Sequence, residues 1–145
     1  MRGAPASDYT QGVHPLKKLR ILLAEDDEII AMLLGEILCD LGHEVCATET
    51  TEAGTIAAAA RDRPDVMLID VNLAGGSGVA AVGQVLQGGH VPHVFMTGDT
   101  PRRMSNGTEM LFKPFGQGEL VRAIERATAA PVPPGLTACS TADRC

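Results

Sequence analysis

The sequence predicts an α/β protein with a doubly wound, five-stranded parallel sheet. The first observation is a central run of four apolar residues, Val66 to Ile69, that ends at Asp70. An unbroken apolar run of this length is typical of a parallel strand covered by helices on both faces. The second observation is that such strands alternate with helical patterns between residues 19 and 130. Strict alternation of this kind is the arrangement that builds a doubly wound sheet.

Each predicted strand is a short apolar run bounded by charged or turn-forming residues. The five runs cover about 19–25, 43–48, 66–70, 91–97 and 109–112. Four helices are predicted from apolar residues at helical spacing and from residues that cap helix ends. They cover about 27–41, 51–62, 79–87 and 117–129. In the first of them Leu34, Leu38 and Leu41 form the apolar stripe, and Gly42 ends the helix.

Two connections depart from a regular strand–helix alternation. Only 15 residues lie between Thr97 and Lys113, so a fourth crossover helix in this segment is expected to be short or irregular. The loop at 74–78 reads Ala-Gly-Gly-Ser-Gly and lacks the Gly-Lys-Ser/Thr of a phosphate-binding loop. Its glycines predict a mobile loop.

The domain is predicted to cover residues 19–130. It is framed by a disordered leader at 1–18 and a disordered tail at 131–145, whose prolines exclude helix. The first residues lack the apolar stretch of a signal peptide, and no apolar run reaches the about 18 residues that span a membrane. A net charge of −6 without a basic stripe argues against nucleic-acid binding.

The four cysteines show no spacing typical of metal ligands. Cys39 and Cys46 lie in apolar surroundings and are expected to be buried thiols. With Cys139 and Cys145 in the tail, the cysteines are expected to be reduced, which favours a cytoplasmic protein.

Residues with functional side chains follow four of the predicted strands. Asp26 and Asp27 follow the first, Asp70 ends the third, and Thr97 and Lys113 end the fourth and fifth. In open α/β sheets these strand ends meet at the edge where ligands bind. Three carboxylates gathered there repel one another, and a divalent cation with oxygen ligands, Mg²⁺, relieves the repulsion. The set predicts phosphoryl transfer onto Asp70, with Lys113 supplying positive charge and Thr97 a hydrogen-bond donor.

In these residues the chain resembles the receiver domain of two-component response regulators. The likeness covers about residues 19–130 and is carried by the Asp26-Asp27 pair, Asp70, Gly78, Thr97 in Val-Phe-Met-Thr-Gly and Lys113 in Phe-Lys-Pro-Phe. It implies a flavodoxin-like receiver fold with Asp70 as the phosphoacceptor. It also implies a Mg²⁺ ion held by Asp26, Asp27, Asp70 and the main-chain carbonyl of Asn72. The phosphodonor would be a histidine kinase or histidine phosphotransfer protein, and the bond between Lys113 and Pro114 would be cis.

Two features depart from the usual receiver pattern. Met110 stands where the family usually carries an aromatic residue, three places before the lysine. The segment after Thr97 is also shorter than usual. In these features the chain resembles the alphaproteobacterial single-domain receivers, which have a Phe-x-Thr-Gly signature and a reduced fourth helix. We therefore expect phosphorylation to change the order of residues 98–107 in place of an aromatic switch.

The leading interpretation is a stand-alone receiver, not an enzyme, that signals through altered binding of an unknown downstream protein. A phosphate sink, a phosphorelay intermediate and an unphosphorylated docking scaffold are the alternatives. A phosphatase similar to the haloacid dehalogenases also uses an aspartyl nucleophile, but that nucleophile follows the first strand and a second acid stands where this chain has Asn72.

The first helix carries more apolar residues than its stripe requires. Ile30, Met32 and Leu33 lie beside the predicted acid site. A histidine-bearing helix must approach that site, so these residues predict a docking surface for the kinase. Ordinary core packing is the competing interpretation.

Overall fold

Five parallel strands form the sheet in a computed structural model that describes residues 18–98 and 108–129. The strand order is β2-β1-β3-β4-β5, the order of flavodoxin-like folds. The strands are β1 (Arg20–Ala24), β2 (Glu44–Glu49), β3 (Val66–Asp70), β4 (His93–Thr97) and β5 (Glu109–Phe112). The predicted fold class is confirmed.

Four helices are present in the described part of the chain, and they cover both faces of the sheet. They are α1 (Glu28–Asp40), α2 (Glu52–Asp62), α3 (Gly78–Leu86) and α4 (Gln117–Ala129). Helices α1 and α4 pack on one face, and α2 and α3 pack on the other. Within residues 18–98 and 108–129, each helix is too short or too polar to cross a membrane.

The burial of β3 explains its sequence. All five of its residues are buried, because the strand lies in the middle of the sheet with helices on both faces. Alternation along the strand sends Val66 and Leu68 toward α1 and α4, and Met67 and Ile69 toward α2 and α3. Two-sided burial of this kind requires a continuous apolar run.

Polar residues and one glycine set the ends of the helices. The Asp27 carboxylate accepts the backbone N–H groups of Ile29 and Ile30 at the start of α1. Thr51 caps α2 in the same way, through Gly54. At the end of α1, Gly42 takes φ +97°, a conformation that favours glycine.

The prediction that Cys39 and Cys46 are buried is wrong. Cys39 is exposed because it follows Leu38 by about a third of a helical turn and so lies outside the buried stripe of α1. Cys46 is only partly buried. The predicted loop at 74–78 includes part of a short antiparallel hairpin, in which Asn72–Leu73 pairs with Gly76–Ser77. We refer to these paired segments, with the turn between them, as the short hairpin.

Strand β2 is one of the two edges of the sheet, and its pairing with β1 is irregular. The register shifts between Ile21 and Leu22, so that Val45 and Ala47 face consecutive residues of β1 and Cys46 is the extra residue.

The predicted leader, the predicted tail and the expected irregular fourth helix fall mainly in residues 1–17, 130–145 and 99–107, which lie outside the described residues.

Gly78 begins α3 in direct contact with the backbone of Asp70. A Cβ at this position would lie 2.0 Å from the Asp70 carbonyl oxygen and 2.7 Å from the Ile69 side chain. We expect Gly78→Ala to lower the free energy of unfolding by about 1–3 kcal/mol, because backbone must move to admit the methyl group. Urea unfolding measures the change.

The matched control is Gly83→Ala in the same helix. A Cβ on Gly83 meets nothing within 4 Å. This substitution should raise the free energy of unfolding by about 0.5–1 kcal/mol, the ordinary gain for alanine over glycine in a helix. Equal effects of the two substitutions would contradict the close contact at Gly78.

Candidate functional site

The carboxyl ends of four neighbouring strands bring the candidate residues together. Ala24 pairs with Ile69, Asp70 with Met96, and Thr97 with Phe112. Glu25, Asp70, Thr97 and Lys113 therefore end adjacent strands at the same edge of the sheet. In open α/β folds this edge is where ligands bind.

Three carboxylates form an acidic group at this edge. One oxygen from each of Glu25, Asp26 and Asp70 lies within 4.8 Å of the other two. Glu25 and Asp70 are buried, whereas Asp26 is exposed. The group is therefore open to solvent on the side of Asp26 and closed on the side of the sheet.

Lys113 joins the two buried carboxylates. Its ammonium group donates to Glu25 Oε1 at 2.7 Å and to Asp70 Oδ2 at 2.6 Å. Burial alone would lower the pKa of Lys113, but its bonds to Asp70 and Glu25 outweigh that effect and raise the pKa above its ordinary value. The lysine is therefore fully charged at neutral pH.

Glu25 is the most deeply buried acid of the group, with 1% of its surface exposed. Burial raises the pKa of Glu25, and the hydrogen bonds from Lys113 and the Asp27 backbone N–H only partly offset this. The burial follows from the sheet, because the Glu25 N–H donates to the Glu49 carbonyl and extends the β1–β2 pairing by one residue.

The backbone after β3 fixes the direction of the Asp70 carboxylate. The Asn72 N–H donates to Asp70 Oδ1 at 2.8 Å, while Oδ2 faces Lys113. The Val71 N–H donates to the Met96 carbonyl, and the Gly78 N–H donates to the Val71 carbonyl, each at 2.9 Å. Both carboxylate oxygens of Asp70 are thus held in defined places.

Asp27, predicted as a metal ligand, does not belong to the acidic group that the described residues form. Its carboxylate caps α1. Glu25 takes its place beside Asp26 and Asp70, and sequence reasoning missed this residue by assigning it to the strand. The available signal was the helix cap: an aspartate just before an apolar helical pattern is a preferred N-cap.

The remaining predicted residues lie at the edges of the site. Thr97 is buried, and its carbonyl accepts the Lys113 N–H at 2.8 Å. Met110 is partly buried against the core between the sheet, α2 and α3. The Lys113–Pro114 bond is cis, which confirms the prediction made from the resemblance.

The chemistry of the donors fits a hard divalent cation. All three side chains of the acidic group offer carboxylate oxygen, the ligand type that Mg²⁺ prefers. Asp26 lies on the solvent side, where a cation that keeps several water molecules can reach it.

The sequence profile of the response regulator receiver domain family matches residues 21–125. This chain belongs to that family. Receiver domains generally bind Mg²⁺ at an acidic pocket, and this chain carries an acidic group formed by Glu25, Asp26 and Asp70.

The relatives are regulators of transcription and of stress responses. The chain is 36% identical over 115 residues to the phyllosphere-induced regulator PhyR of Methylorubrum extorquens, covering 74% of this chain and 42% of that protein. The response regulator PhyR from Brucella abortus, known from a crystal structure, shares 27% sequence identity with this chain, and the two structures align with a TM-score of 0.71. The alignment covers 87% of this chain and 54% of that one.

The receiver domain of PhyR from Erythrobacter litoralis, solved in solution by NMR, is 28% identical with a TM-score of 0.70. That comparison covers 81% of this chain and 98% of the solved domain. By contrast, this receiver domain spans about half the length of the curated relatives that it matches.

Proposed function

We propose that this receiver domain accepts a phosphoryl group on Asp70 from a histidine kinase or a histidine phosphotransfer protein. The observation that supports the proposal is the contact of 2.6 Å between Asp70 Oδ2 and the Lys113 ammonium, beside the acidic group at the edge of the sheet. A carboxylate so placed is a nucleophile with a compensating positive charge beside it.

In the proposed step, an Asp70 carboxylate oxygen forms a bond to phosphorus while the bond between phosphorus and the donor imidazole nitrogen breaks. The imidazole leaves with the bonding electron pair and takes up a proton from solvent. As negative charge shifts from the Asp70 carboxylate to the phosphoryl oxygens, the Lys113 ammonium group can donate to those oxygens. The buried Thr97 lies at the end of the next strand, where its hydroxyl is expected to donate to the same oxygens.

Asp26, Asp70 and the main-chain carbonyl of Asn72 would hold Mg²⁺. When bound, the cation neutralises the negative charge that builds up as the phosphoryl group approaches the carboxylates. Glu25 contributes negative charge but remains bonded to Lys113, and Asp27 remains the cap of α1. This assignment differs from the sequence prediction by one residue on the β1 side.

The exposed face of α1 is the proposed docking surface for the donor. Ile29, Met32 and Leu33 are 67%, 56% and 50% exposed, on one side of a helix that begins beside the acidic group. Ile30 instead packs against the core. Helix α1 carries no basic residue, so the surface suits a donor helix with an apolar face and basic flanks.

The proposed output is altered binding of a downstream protein, without catalysis of a further reaction. The family consists of signalling modules, and the curated relatives are named as regulators. A phosphate sink or phosphorelay role uses the same site, and it differs in whether the phosphoryl group leaves Asp70 for a second histidine.

Replacement of the phosphoacceptor tests the proposed reaction. Asp70→Asn should abolish phosphate incorporation from acetyl phosphate, because the amide is not a nucleophile of comparable strength. The fold should persist, since the Asn side-chain oxygen can still accept the Asn72 N–H. Phosphate incorporation is measured by mass spectrometry of the intact chain.

The control for this test is Asp40→Asn, which removes an exposed carboxylate at the far end of α1 and should label like the wild type. Labelling of Asp70→Asn at the wild-type level would overturn the assignment of Asp70. An unlabelled wild type with every tested small phosphodonor would favour the docking scaffold.

A pair of neighbouring variants tests the metal ligands. Mg²⁺ at 100 times its dissociation constant should stabilise the wild type by about 2.7 kcal/mol through mass action. Asp26→Asn should weaken Mg²⁺ binding by about tenfold or more, because a charged ligand is lost. Asp27→Asn should keep the Mg²⁺ response, because its amide oxygen can still cap α1. Melting temperature against Mg²⁺ concentration measures both, and the reverse order of effects would restore Asp27 as the ligand.

The docking surface is tested by the double variant Met32→Gln/Leu33→Gln. Transfer from a phosphorylated histidine phosphotransfer protein should slow by about tenfold or more, since exposed apolar anchors are lost from the interface. Labelling by acetyl phosphate should not change. Val79→Gln on α3, where Val79 is 46% exposed, is the matched control. Equal slowing with both donors would contradict the docking surface.

A further inference from the structure

The short hairpin after Asp70 is tied to the start of α2 by contacts that the proposed chemistry does not use. The Ala74 N–H donates to the Thr50 carbonyl at 3.0 Å, next to a bridge between Thr51 and Ala74. The Ser77 N–H donates to the Glu52 carboxylate at 2.9 Å. The hairpin is thus anchored at its turn through backbone and at its second strand through a side chain.

The Glu52 side chain lies flat against the backbone of Gly76. A Cβ on Gly76 would lie 2.0 Å from Glu52 Oε1 and 3.0 Å from Glu52 Cβ. The carboxylate therefore reaches the Ser77 N–H only because residue 76 has no side chain. The preceding Gly75, with φ +74°, makes the turn that brings Gly76 back toward α2.

Glu52 is not required to cap its own helix. Thr51 caps α2 by accepting the Gly54 N–H at 2.9 Å, and Glu52 is the first residue after that cap. The positive end of the helix dipole stabilises a carboxylate at this position. Ser77, which Glu52 holds, caps α3 through the Ala80 N–H. One carboxylate therefore connects the starts of α2 and α3 across the hairpin.

The residues between Asp70 and Gly78 fix the direction of the Asp70 carboxylate and the position of the Asn72 backbone. The Asn72 N–H holds Asp70 Oδ1, and the Gly78 N–H closes the loop on the Val71 carbonyl. Asn72 itself is exposed and pairs with Ser77 across the hairpin. Ser77 therefore links the two residues, because its N–H donates to Glu52 and its backbone pairs with Asn72.

We propose that Glu52 is a positioning residue for the phosphoacceptor site, acting through the Ser77 N–H on the short hairpin that carries Asn72. The proposal rests on the function proposed above, because it concerns the carbonyl of Asn72 as a ligand of Mg²⁺. A hydrogen bond from an N–H to a carboxylate is stronger than one between neutral groups, so its loss removes the stronger of the two contacts that anchor the hairpin on the start of α2. The Asn72 backbone, which pairs with Ser77, then loses part of the support that fixes its position beside Asp70.

Three variants separate positioning from general stability. Glu52→Ala removes the acceptor, Glu52→Gln keeps an acceptor oxygen at the same place, and Thr51→Ala removes the cap of the same helix without touching Ser77. Amide exchange of residues 72–78 is measured without Mg²⁺, and Mg²⁺ affinity is measured from the rise in melting temperature with concentration.

Glu52→Ala should speed exchange at the Ser77 N–H by about tenfold and weaken Mg²⁺ binding by about tenfold, as loss of a group supporting a metal ligand does. Glu52→Gln should restore most of both. Thr51→Ala should lower the melting temperature yet leave hairpin exchange and Mg²⁺ affinity near wild type. The proposal is overturned if Glu52→Ala lowers only the melting temperature, or if Glu52→Gln is as damaging as Glu52→Ala.

Gly76→Ala disrupts the same contact from the hairpin side, because the added Cβ would lie 2.0 Å from Glu52 Oε1 and displace it. It should reproduce the effects of Glu52→Ala, and the double variant should be no worse than either single one, because both remove the same interaction. Additive effects would contradict a shared contact. Gly83→Ala is the control for the glycine substitution.

The two proposals fail in different ways. Amide exchange without Mg²⁺ or phosphodonor reports the Glu52–Ser77 contact whatever the site binds. A wild type that neither responds to Mg²⁺ nor accepts phosphate would overturn the proposed function and, with it, the positioning role. A wild type that does both, with a Glu52→Ala variant that matches it, would overturn the positioning role alone.

Discussion

The functional edge of this molecule depends on the ion pairs that the Lys113 ammonium group makes with Glu25 and Asp70. Glu25 and Asp70 are both buried at that edge, and two anions so close would strongly disfavour each other without a cation between them. The backbone N–H of Lys113 donates to the Thr97 carbonyl, so the pairing of β4 with β5 places the lysine. The sheet therefore positions the cation that balances the charge of the site.

Much of the architecture could be predicted because burial on two faces leaves a direct mark on the sequence. Strand β3 is apolar at each of its first four positions and is buried throughout. Gly42 marks the end of α1 through a conformational preference that holds in any protein, and it acts as predicted. The strand ends then brought Asp70, Thr97 and Lys113 to one edge, as the topology requires.

Two parts of the site could not be predicted, for different reasons. Glu25, Asp26 and Asp27 are consecutive acids, and their roles depend on where β1 stops pairing. One additional hydrogen bond to Glu49 buries Glu25 and leaves Asp27 to cap α1. In the loop at 74–78, Gly75 permits a turn and Gly76 permits the close approach of Glu52. That approach joins residues distant in sequence, and single-sequence patterns do not reveal such contacts.

The irregular edge strand β2 makes this edge of the sheet a poor template for pairing with another molecule. An open sheet exposes unpaired backbone groups at its edges, and a flat apolar edge can pair with the edge of another molecule and start aggregation. Strand β2 begins and ends with glutamate, Glu44 and Glu49, and the extra residue Cys46 distorts its pairing with β1. Charge and distortion are two of the means by which natural sheets block such pairing. Both features disfavour growth of the sheet at this edge, while the acidic group lies apart from it, at the carboxyl ends of the strands.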